Sequence, residues 1–251
     1  MRPFNPRNRL ISLTEVDALL RRYSPGTPGG KTLEVYRVAT THPSYCKRQT
    51  GVSGCPTGCV PLQDESYERT EFLGDAVLQL AVTAYLFERY PETNEGFMTR
   101  MRTKLVNGVM LADLGSHTTL PSFILVSNEA DRRNPKVVED VLEAFIGAVH
   151  LDLGFEAAKE WTIGLIEAHV DFAPLVAHQN NPKDVLKRLY AARMGHVPTF
   201  DPVPPSSCPS GGEAMVMIRD QDGTVVATGT GANRKDAECD AARKALRYLG
   251  S

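Results

Sequence analysis

Three acidic residues share one face of a predicted helix. In the segment ERTEFLGDAVL, the side chains of Glu68, Glu71 and Asp75 fall within an arc of about 60° at 100° per residue. Acids on an amphipathic helix usually form a solvated face. Here Leu78 and Val82 continue the same stripe, which indicates that the acids are at least partly buried. Clustered carboxylates away from water repel one another and carry a large desolvation cost unless a cation compensates their charge.

A second acidic pair lies on a later predicted helix. Asp140 and Glu143 are one turn apart in VEDVLEAFIGAVHLDLGF, and Ala144, Gly147 and Leu151 complete their face. The small residues on this face would let another helix approach closely. If the two acidic helices pack face to face, their carboxylates form an all-oxygen cage, which is the ligand set of a hard cation such as Mg²⁺ or Mn²⁺. The four ligands of this predicted cage are Glu71, Asp75, Asp140 and Glu143.

Other kinds of chemistry have weaker support in the sequence. The Ser, Cys and His residues show no triad-like context, and Glu95 on its own fits an ordinary acid at a helix start. Cys55 and Cys59 have a spacing that could serve zinc, but a structural zinc site needs four ligands and only Cys46 and His42 lie near. A Gly/Pro-rich loop is the favoured interpretation. The cysteines are odd in number and scattered, so we interpret them as reduced thiols.

Composition restricts the class of protein. The chain has 251 residues, of which 42% are hydrophobic and 23% charged, and these values exclude disordered, fibrous and membrane proteins. No apolar run approaches the roughly 18 residues of a membrane span. The N-terminus also lacks the apolar core of a signal peptide, so we predict an intracellular, cytoplasmic protein with no membrane partner. The formal net charge of −2 argues neither for nor against a polyanionic partner.

Helical patterns dominate the first two thirds of the chain. Ser12 followed by Glu15 forms a capping box, which predicts a first helix that ends near Arg22. Residues 46–66 are rich in Gly, Pro, Cys and Gln without periodicity, and they predict a surface loop. Apolar residues recur every three or four positions in the other segments, which predicts an all-α domain. These segments are 35–39, 67–90, 97–115, 136–153 and 155–170.

A smaller domain of mixed composition follows. The stretch APLVAHQNNP is rich in Pro and Asn and marks the boundary. We predict a first domain over 1–175, a linker over 176–181 and a second domain over 182–251. The second domain has the pattern α-β-β-β-α, which makes the overall fold class α+β. Its predicted elements are a helix at 183–194, strands at 199–203, 214–218 and 224–228, and a helix at 234–249.

The chain resembles the ribonuclease III family, with a double-stranded RNA-binding domain after the nuclease domain. The family's signature helix ERLEFLGDAVL is matched with a single change, Thr70 in place of the usual Leu. Further family-like elements are THPSY, NEGFMTRMRTKLVN and VEDVLEAFIGAVHLDLGF. The second domain is similar from NPKDVLKRLY to GTGANRKDAECDAARKAL. Only the first ten residues and the loop at 46–66 lie outside the resemblance.

The resemblance implies roles for six acids, and all six positions hold the expected residue type. The implied metal-binding catalytic acids are Glu71, Asp75, Asp140 and Glu143. Glu68 and Glu95 would line the cleavage site and help to position RNA or metal. Family members act as homodimers, and Phe72 is the candidate for the residue that reaches into the partner subunit. The alternative for Phe72 is a core residue of its own chain.

The implied reaction is Mg²⁺-dependent hydrolysis of phosphodiester bonds in double-stranded RNA, with Mn²⁺ able to substitute. The products would carry 5′-phosphate and 3′-hydroxyl ends with short 3′ overhangs. One Mg²⁺ would lower the pKa of a bound water and direct it at phosphorus, and a second would stabilise the departing 3′ oxygen. No protein nucleophile is required, and we interpret His42 as a structural residue.

The second domain keeps only part of the expected RNA-binding surface. The start of its last helix can meet phosphates through backbone N–H groups and positive side chains. Where the family's first helix offers Glu and Gln to the minor groove, this chain has Arg188 and Ala191, and the loop at 207–212 lacks the usual His. We therefore expect weak or altered duplex binding, and a protein-interaction module is the alternative. The candidate RNA contacts are Asn233, Arg234, Lys235, Lys183 and Lys187.

Two rival functions belong to other classes. One is a silencing suppressor that sequesters double-stranded or small interfering RNA and cuts it only secondarily. The other is a structural, ribosome-associated relative. Both are disfavoured because RNA binding alone would not need a buried acidic cluster that repels RNA. The long loop at 46–66 suggests a viral or otherwise divergent source.

Overall fold

The computed structural model describes residues 3–47, 54–177, 182–204 and 214–249. The chain divides into two compact units, residues 1–171 and 172–251, which we call the N-terminal and C-terminal units. Most of the predicted linker, the altered loop at 207–212 and Cys208 lie outside the described residues. The exact domain limits of the sequence analysis therefore stay predictions.

Helices build the described part of the N-terminal unit, as the sequence predicts. Between them lie short 3₁₀ turns and two isolated β-bridges. The helices are α1 (Leu13–Tyr23), α2 (Leu33–Ala39), α3 (Glu68–Arg89), α4 (Glu95–Leu105), α5 (Gly108–His117), α6 (Pro135–Leu153) and α7 (Phe155–His169).

Capping residues explain where two of these helices begin. The predicted capping box of α1 is present, since the Ser12 N–H donates to Glu15 Oε2 at 2.9 Å and the Glu15 N–H donates to Ser12 Oγ at 3.4 Å. The single helix predicted over 97–115 is wrong, because α4 and α5 are separate. Asn107 lies between them in extended conformation, and its side chain accepts a hydrogen bond from the Met110 N–H at 3.0 Å. A polar cap therefore ends one helix and starts the next.

The two acidic helices, α3 and α6, cross with their backbones in contact. A Cβ atom added to Gly74 would lie 1.8 Å from the Glu143 carbonyl oxygen, and one added to Gly147 would lie 2.4 Å from the Thr70 carbonyl oxygen. Any side chain at either position would push the helices apart. Helix α6 is buried along most of its length and forms the centre of the unit. The close approach predicted from the small residues of α6 is confirmed.

Asp152, near the end of α6, fixes the start of α2. Its carboxylate accepts hydrogen bonds from the Lys31 N–H at 2.7 Å and the Thr32 N–H at 2.9 Å. It also accepts one from the Tyr36 hydroxyl at 2.9 Å. Thr32 is the N-cap of α2 but makes no side-chain capping bond. A carboxylate distant in sequence thus satisfies N–H groups that a local cap would otherwise satisfy.

The segments outside the family resemblance pack against each other. Phe4 and Leu10 from the N-terminal arm meet Val60 and Leu62 from the end of the long loop, around the buried ring of Tyr45. The Tyr45 hydroxyl donates to the Val60 carbonyl oxygen at 2.7 Å. This small cluster anchors the chain that leads directly into α3.

The C-terminal unit has the predicted α-β-β-β-α order after a short helix. Its three strands form one antiparallel sheet in the order β1-β2-β3, and a core that includes Leu186, Tyr190, Ile218 and Ala241 joins two helices to the sheet. Within the described ranges, no helix combines the length and apolar character needed to cross a lipid bilayer. The elements are α8 (Phe172–Ala177), α9 (Pro182–Met194), β1 (Thr199–Val203), β2 (Ala214–Arg219), β3 (Val225–Gly231) and α10 (Arg234–Leu249).

The helix crossing makes a direct prediction for Gly74→Ala. The added methyl group would overlap backbone atoms of α6, so we expect the N-terminal unit to lose about 3 kcal/mol of unfolding free energy. Trp161 is the single tryptophan of the chain and is fully buried, so its fluorescence in urea reports this unit. Gly26→Ala is the matched control, because a Cβ there meets nothing within 4 Å. Equal urea midpoints for the two variants would contradict the crossing.

Candidate metal centre

Helices α3 and α6 bring three acids together beside their crossing point. One carboxylate oxygen from each of Glu71, Asp140 and Glu143 lies within 4.8 Å of the other two. Asp140 is 8% exposed and Glu143 is 7% exposed, while Glu71 is half-buried. Among the residues that the structure describes, no other group of three His, Cys, Asp or Glu side chains converges this closely.

The cluster carries more negative charge than its surroundings compensate. Burial raises the pKa of Glu143 to about 8, and the charges of Asp75, Glu139 and Glu71 add to the shift. Burial also raises the pKa of Glu71, and the charge of Asp140 acts in the same direction. A buried acid that resists ionisation in this way favours a neighbouring cation. The oxygen-only donor set fits a hard divalent ion such as Mg²⁺ or Mn²⁺.

Asp140 is held from two sides by residues that the sequence analysis missed. The Tyr67 hydroxyl donates to Asp140 Oδ2 at 3.2 Å. Lys136 Nζ lies 2.7 Å from Asp140 Oδ1 and 3.3 Å from Glu139 Oε1, and these partners raise the pKa of Lys136. The spacing of Tyr67 and Lys136 in the sequence could have identified both. Tyr67 precedes Glu71 by four residues and Lys136 precedes Asp140 by four, so each lies on its acidic helix face.

Asp75 and Glu68 are exposed, so their predicted burial is wrong. The angular positions of these acids around the axis of α3 explain the difference in exposure. Measured from Gly74, where α6 crosses, Glu71 lies at about 60°, Asp75 at about 100° and Glu68 at about 120°. The two acids at the larger angles are exposed and Glu71 is not, because α6 covers only the near edge of the acidic stripe. Asp75 still raises the pKa of Glu143, whereas the Glu68 carboxylate accepts a hydrogen bond from the Ser66 hydroxyl at 2.7 Å.

Glu95 does not join the cluster within one chain. It is exposed at the start of α4, where its carboxylate accepts a hydrogen bond from the Thr99 hydroxyl at 2.7 Å. It lines a cavity of about 240 Å³ with Thr83, Phe87 and neighbouring residues. Thr83 is twelve residues beyond Glu71, which is about 18 Å along α3. The structure therefore places Glu95 towards the other end of α3.

Phe72 projects away from its own chain. Its side chain is 84% exposed, so it is not a core residue of the N-terminal unit. Leu80 and Phe87 extend the exposed apolar stripe along α3, at 56% and 69% exposure. Phe72 also lines a groove of about 790 Å³, whose other lining residues include the apolar Val38 and Leu151 and the charged Glu68 and Arg69. A single chain thus presents a projecting aromatic ring beside a groove of mixed apolar and charged lining.

The candidate RNA contacts of the C-terminal unit occupy the starts of α9 and α10. Lys183 and Arg234 both pair with Glu238, which is 8% exposed, and Arg234 Nε lies 3.0 Å from Glu238 Oε1. Lys235 is exposed, and Lys187 lies over the Phe200 ring at 5.8 Å. Asn233 caps α10, because its side chain accepts from the Asp236 N–H at 3.0 Å and donates to the Asp236 carboxylate at 2.8 Å.

The raised pKa of Glu143 predicts a pH dependence in the metal-free protein. The folded state keeps a proton that the unfolded state releases near pH 4.5, so stability falls as pH rises from about 4.5 to about 8. In EDTA at pH 9, we expect Glu143→Gln to be more stable than wild type by roughly 2 kcal/mol, with little difference at pH 4. Urea unfolding followed by Trp161 fluorescence measures this. Glu92→Gln, at an exposed acid, is the control and should leave stability unchanged; parallel profiles for wild type and Glu143→Gln would refute the prediction.

Comparison with known proteins identifies both units. Residues 33–168 match the Ribonuclease-III-like family model and residues 182–249 match the double-stranded RNA binding motif. A protein of Acanthamoeba polyphaga mimivirus, named "Probable ribonuclease 3", is 33% identical over 76% of this chain, which spans only 37% of the viral protein's length. Ribonuclease 3 of Campylobacter fetus is 36% identical, with 72% of this chain and 83% of that protein covered.

A solved structure supports the same assignment. The nuclease domain of ribonuclease III from Campylobacter jejuni is 32% identical, with a TM-score of 0.51 over 62% of this chain and 97% of that domain. Relatives occur in both viruses and bacteria, so the viral source suggested by the long loop stays a prediction. With the family model covering more than half of the chain and the acidic helices crossing as described, the protein belongs to the ribonuclease III family of endoribonucleases.

Proposed function

We propose that this protein is a Mg²⁺-dependent endoribonuclease that hydrolyses phosphodiester bonds in double-stranded RNA. The observation that carries the proposal is the convergence of Glu71, Asp140 and Glu143 beside the α3–α6 crossing, at positions where the family has its catalytic acids. The products would have 5′-phosphate and 3′-hydroxyl ends with short 3′ overhangs.

The four acids would bind the metal from different sides. Asp140 and Glu143 are buried on α6, and Glu71 faces them from α3, so these three would bind the ion directly. Asp75 is exposed but close enough to act on the pKa of Glu143, so it would complete the ligand set from the solvent side. When bound, the metal supplies a water of lowered pKa as nucleophile and stabilises charge on the leaving 3′ oxygen. No side chain has to form a covalent bond to RNA.

Glu68 and Glu95 would act at a distance from this ion. Glu68 lies one turn before Glu71 on α3, at the solvent edge of the acidic stripe, where it can help to position the substrate. The placement of Glu95 towards the other end of α3 argues against direct ligation within the same chain. We propose that both acids line the RNA path and have less weight in catalysis.

The C-terminal unit would bind the RNA duplex. Its family motif is a double-stranded RNA binding motif, and duplex RNA is recognised by shape, 2′-hydroxyls and phosphates. Lys183, Lys187, Asn233, Arg234 and Lys235 lie at the starts of its two long helices and are the proposed contacts. Glu238 already pairs with two of them, so we expect modest affinity and little sequence preference.

We also propose that the active protein is a homodimer formed through α3. The related Campylobacter jejuni nuclease domain is described with a region involved in dimer formation. Here the exposed Phe72 ring stands at the edge of a groove whose apolar lining includes Val38 and Leu151, which would offer an apolar surface to the ring of a second chain. A two-fold arrangement would let each Phe72 fill the partner's groove.

The decisive test of the nuclease is cleavage of a labelled RNA duplex with Mg²⁺, with Mn²⁺, with Ca²⁺ and with EDTA. We expect cutting by wild type only with Mg²⁺ or Mn²⁺, and a loss of at least about 100-fold for Glu143→Gln without loss of RNA binding, because the variant removes a metal ligand. Glu92→Gln is the control for removing one negative charge and should cut normally. A wild type that binds duplex but never cuts it would make the protein a sequestering binder instead.

If the dimer forms through Phe72, the Phe72→Asp variant should have the solution mass of a monomer. A charge in an apolar interface is costly, so light scattering should show wild type with the mass of two chains and the variant with the mass of one. Val109→Asp is the control, because Val109 is equally exposed at 84% but lies on α5. Cleavage should fall with dimer content. A wild type that cuts duplex RNA as a single chain would refute the proposal.

A further inference from the structure

We infer that Tyr67 is a positioning residue for the metal site, which holds Asp140 Oδ2 so that Oδ1 alone faces the ion. This inference rests on the proposed function, because it concerns the same cluster. The structure gives the Tyr67 hydroxyl one carboxylate partner, Asp140, at 3.2 Å. A hydrogen bond to one oxygen limits rotation of the carboxylate and leaves the other oxygen as the one that a metal can bind without disturbing that bond.

Tyr67 is itself held firmly by its surroundings. It is 3% exposed, and its N–H donates to the Thr41 carbonyl oxygen at 2.9 Å. Its ring packs edge-on against His42 at a centroid distance of 5.8 Å. His42 is fixed in turn, since its Nδ1 accepts a hydrogen bond from the Ser44 N–H at 3.1 Å, and burial lowers its pKa. The predicted structural role of His42 therefore extends to the support of Tyr67.

The two oxygens of Asp140 have unlike partners. Oδ2 receives a neutral hydroxyl in the protein interior, whereas Oδ1 faces the ammonium group of Lys136, whose side chain is 62% exposed. A metal ion can replace the lysine at Oδ1, because one cation is exchanged for another and the lysine remains solvated. It cannot replace the tyrosine without leaving a buried hydroxyl unpaired. The geometry therefore assigns Oδ1 to the metal and Oδ2 to Tyr67.

The backbone of Tyr67 also belongs to the start of α3. Tyr67 is the N-cap residue of α3, and the Glu71 N–H donates to its carbonyl oxygen at 2.8 Å. One residue thus joins the first turn of the helix that carries Glu71 to a ligand on α6. Tyr67 therefore connects Glu71 on α3, through its backbone carbonyl, with Asp140 on α6, through its side chain.

The test compares Tyr67→Phe with Tyr36→Phe. Both variants keep the ring and remove a hydroxyl that donates to a buried or half-buried aspartate, but Tyr36 binds Asp152, which is not part of the acidic cluster. Mn²⁺ affinity is measured by calorimetry without RNA, and stability is measured in urea with EDTA. We expect Tyr67→Phe to weaken Mn²⁺ binding about tenfold and to raise the Mg²⁺ concentration for half-maximal cleavage by a similar factor. Tyr36→Phe should lose stability but bind Mn²⁺ as wild type does.

The outcomes separate this inference from the proposed function. Unchanged Mn²⁺ affinity in Tyr67→Phe, with lowered stability in urea, would reduce Tyr67 to a packing residue and overturn the inference. Weakened Mn²⁺ binding in Tyr67→Phe would support it even if the wild type failed to cut RNA, in which case only the proposed hydrolysis would fall. A wild type that binds no Mn²⁺ at all would overturn both.

Discussion

The contact between α3 and α6 at Gly74 and Gly147 is the constraint on which the rest of the N-terminal unit depends. Two backbones this close leave no room for side chains at the crossing, so the carboxylates on either side are forced together. The distance between Glu71 and the acids of α6 is therefore set by backbone geometry and not by the reach of flexible side chains. Such rigidity suits a site in which small displacements of a ligand lower the rate.

Without a bound cation, the same contact lowers the stability of the folded state, because it brings acids together. Glu143 is buried among acids, and burial raises its pKa to about 8, so ionisation of this side chain costs free energy in the folded protein. Lys136 offsets part of this repulsion from an exposed position. Core residues such as Trp161, which is fully buried and donates to the Leu19 carbonyl oxygen at 2.9 Å, supply stability elsewhere. The unit thus tolerates a strained cluster because its remaining core is well packed.

Much of this arrangement is readable from sequence, because helix periodicity places residues on faces. The α1 capping box and the meeting of Glu71 with the α6 acids follow from local spacing. The exposure of Asp75 does not, since it depends on how far α6 reaches around α3, and the break at Asn107 was hidden by continuous apolar periodicity. The packing of Phe4 and Val60 against the cluster around Tyr45 joins segments far apart in the chain, which local patterns cannot predict.

Glu238 has a consequence for how the C-terminal unit responds to ionic strength. Binding of duplex RNA gains free energy from counterions that leave the phosphates when basic side chains approach. Lys183 and Arg234 already share the Glu238 carboxylate, so their net charge towards RNA is partly cancelled before binding begins. Fewer counterions would be released per duplex, and affinity would decline gently as salt increases. The two ion pairs with Glu238 also tie the starts of α9 and α10 together, so they reduce electrostatic attraction while fixing the spacing between the two helix ends that we propose as RNA contacts.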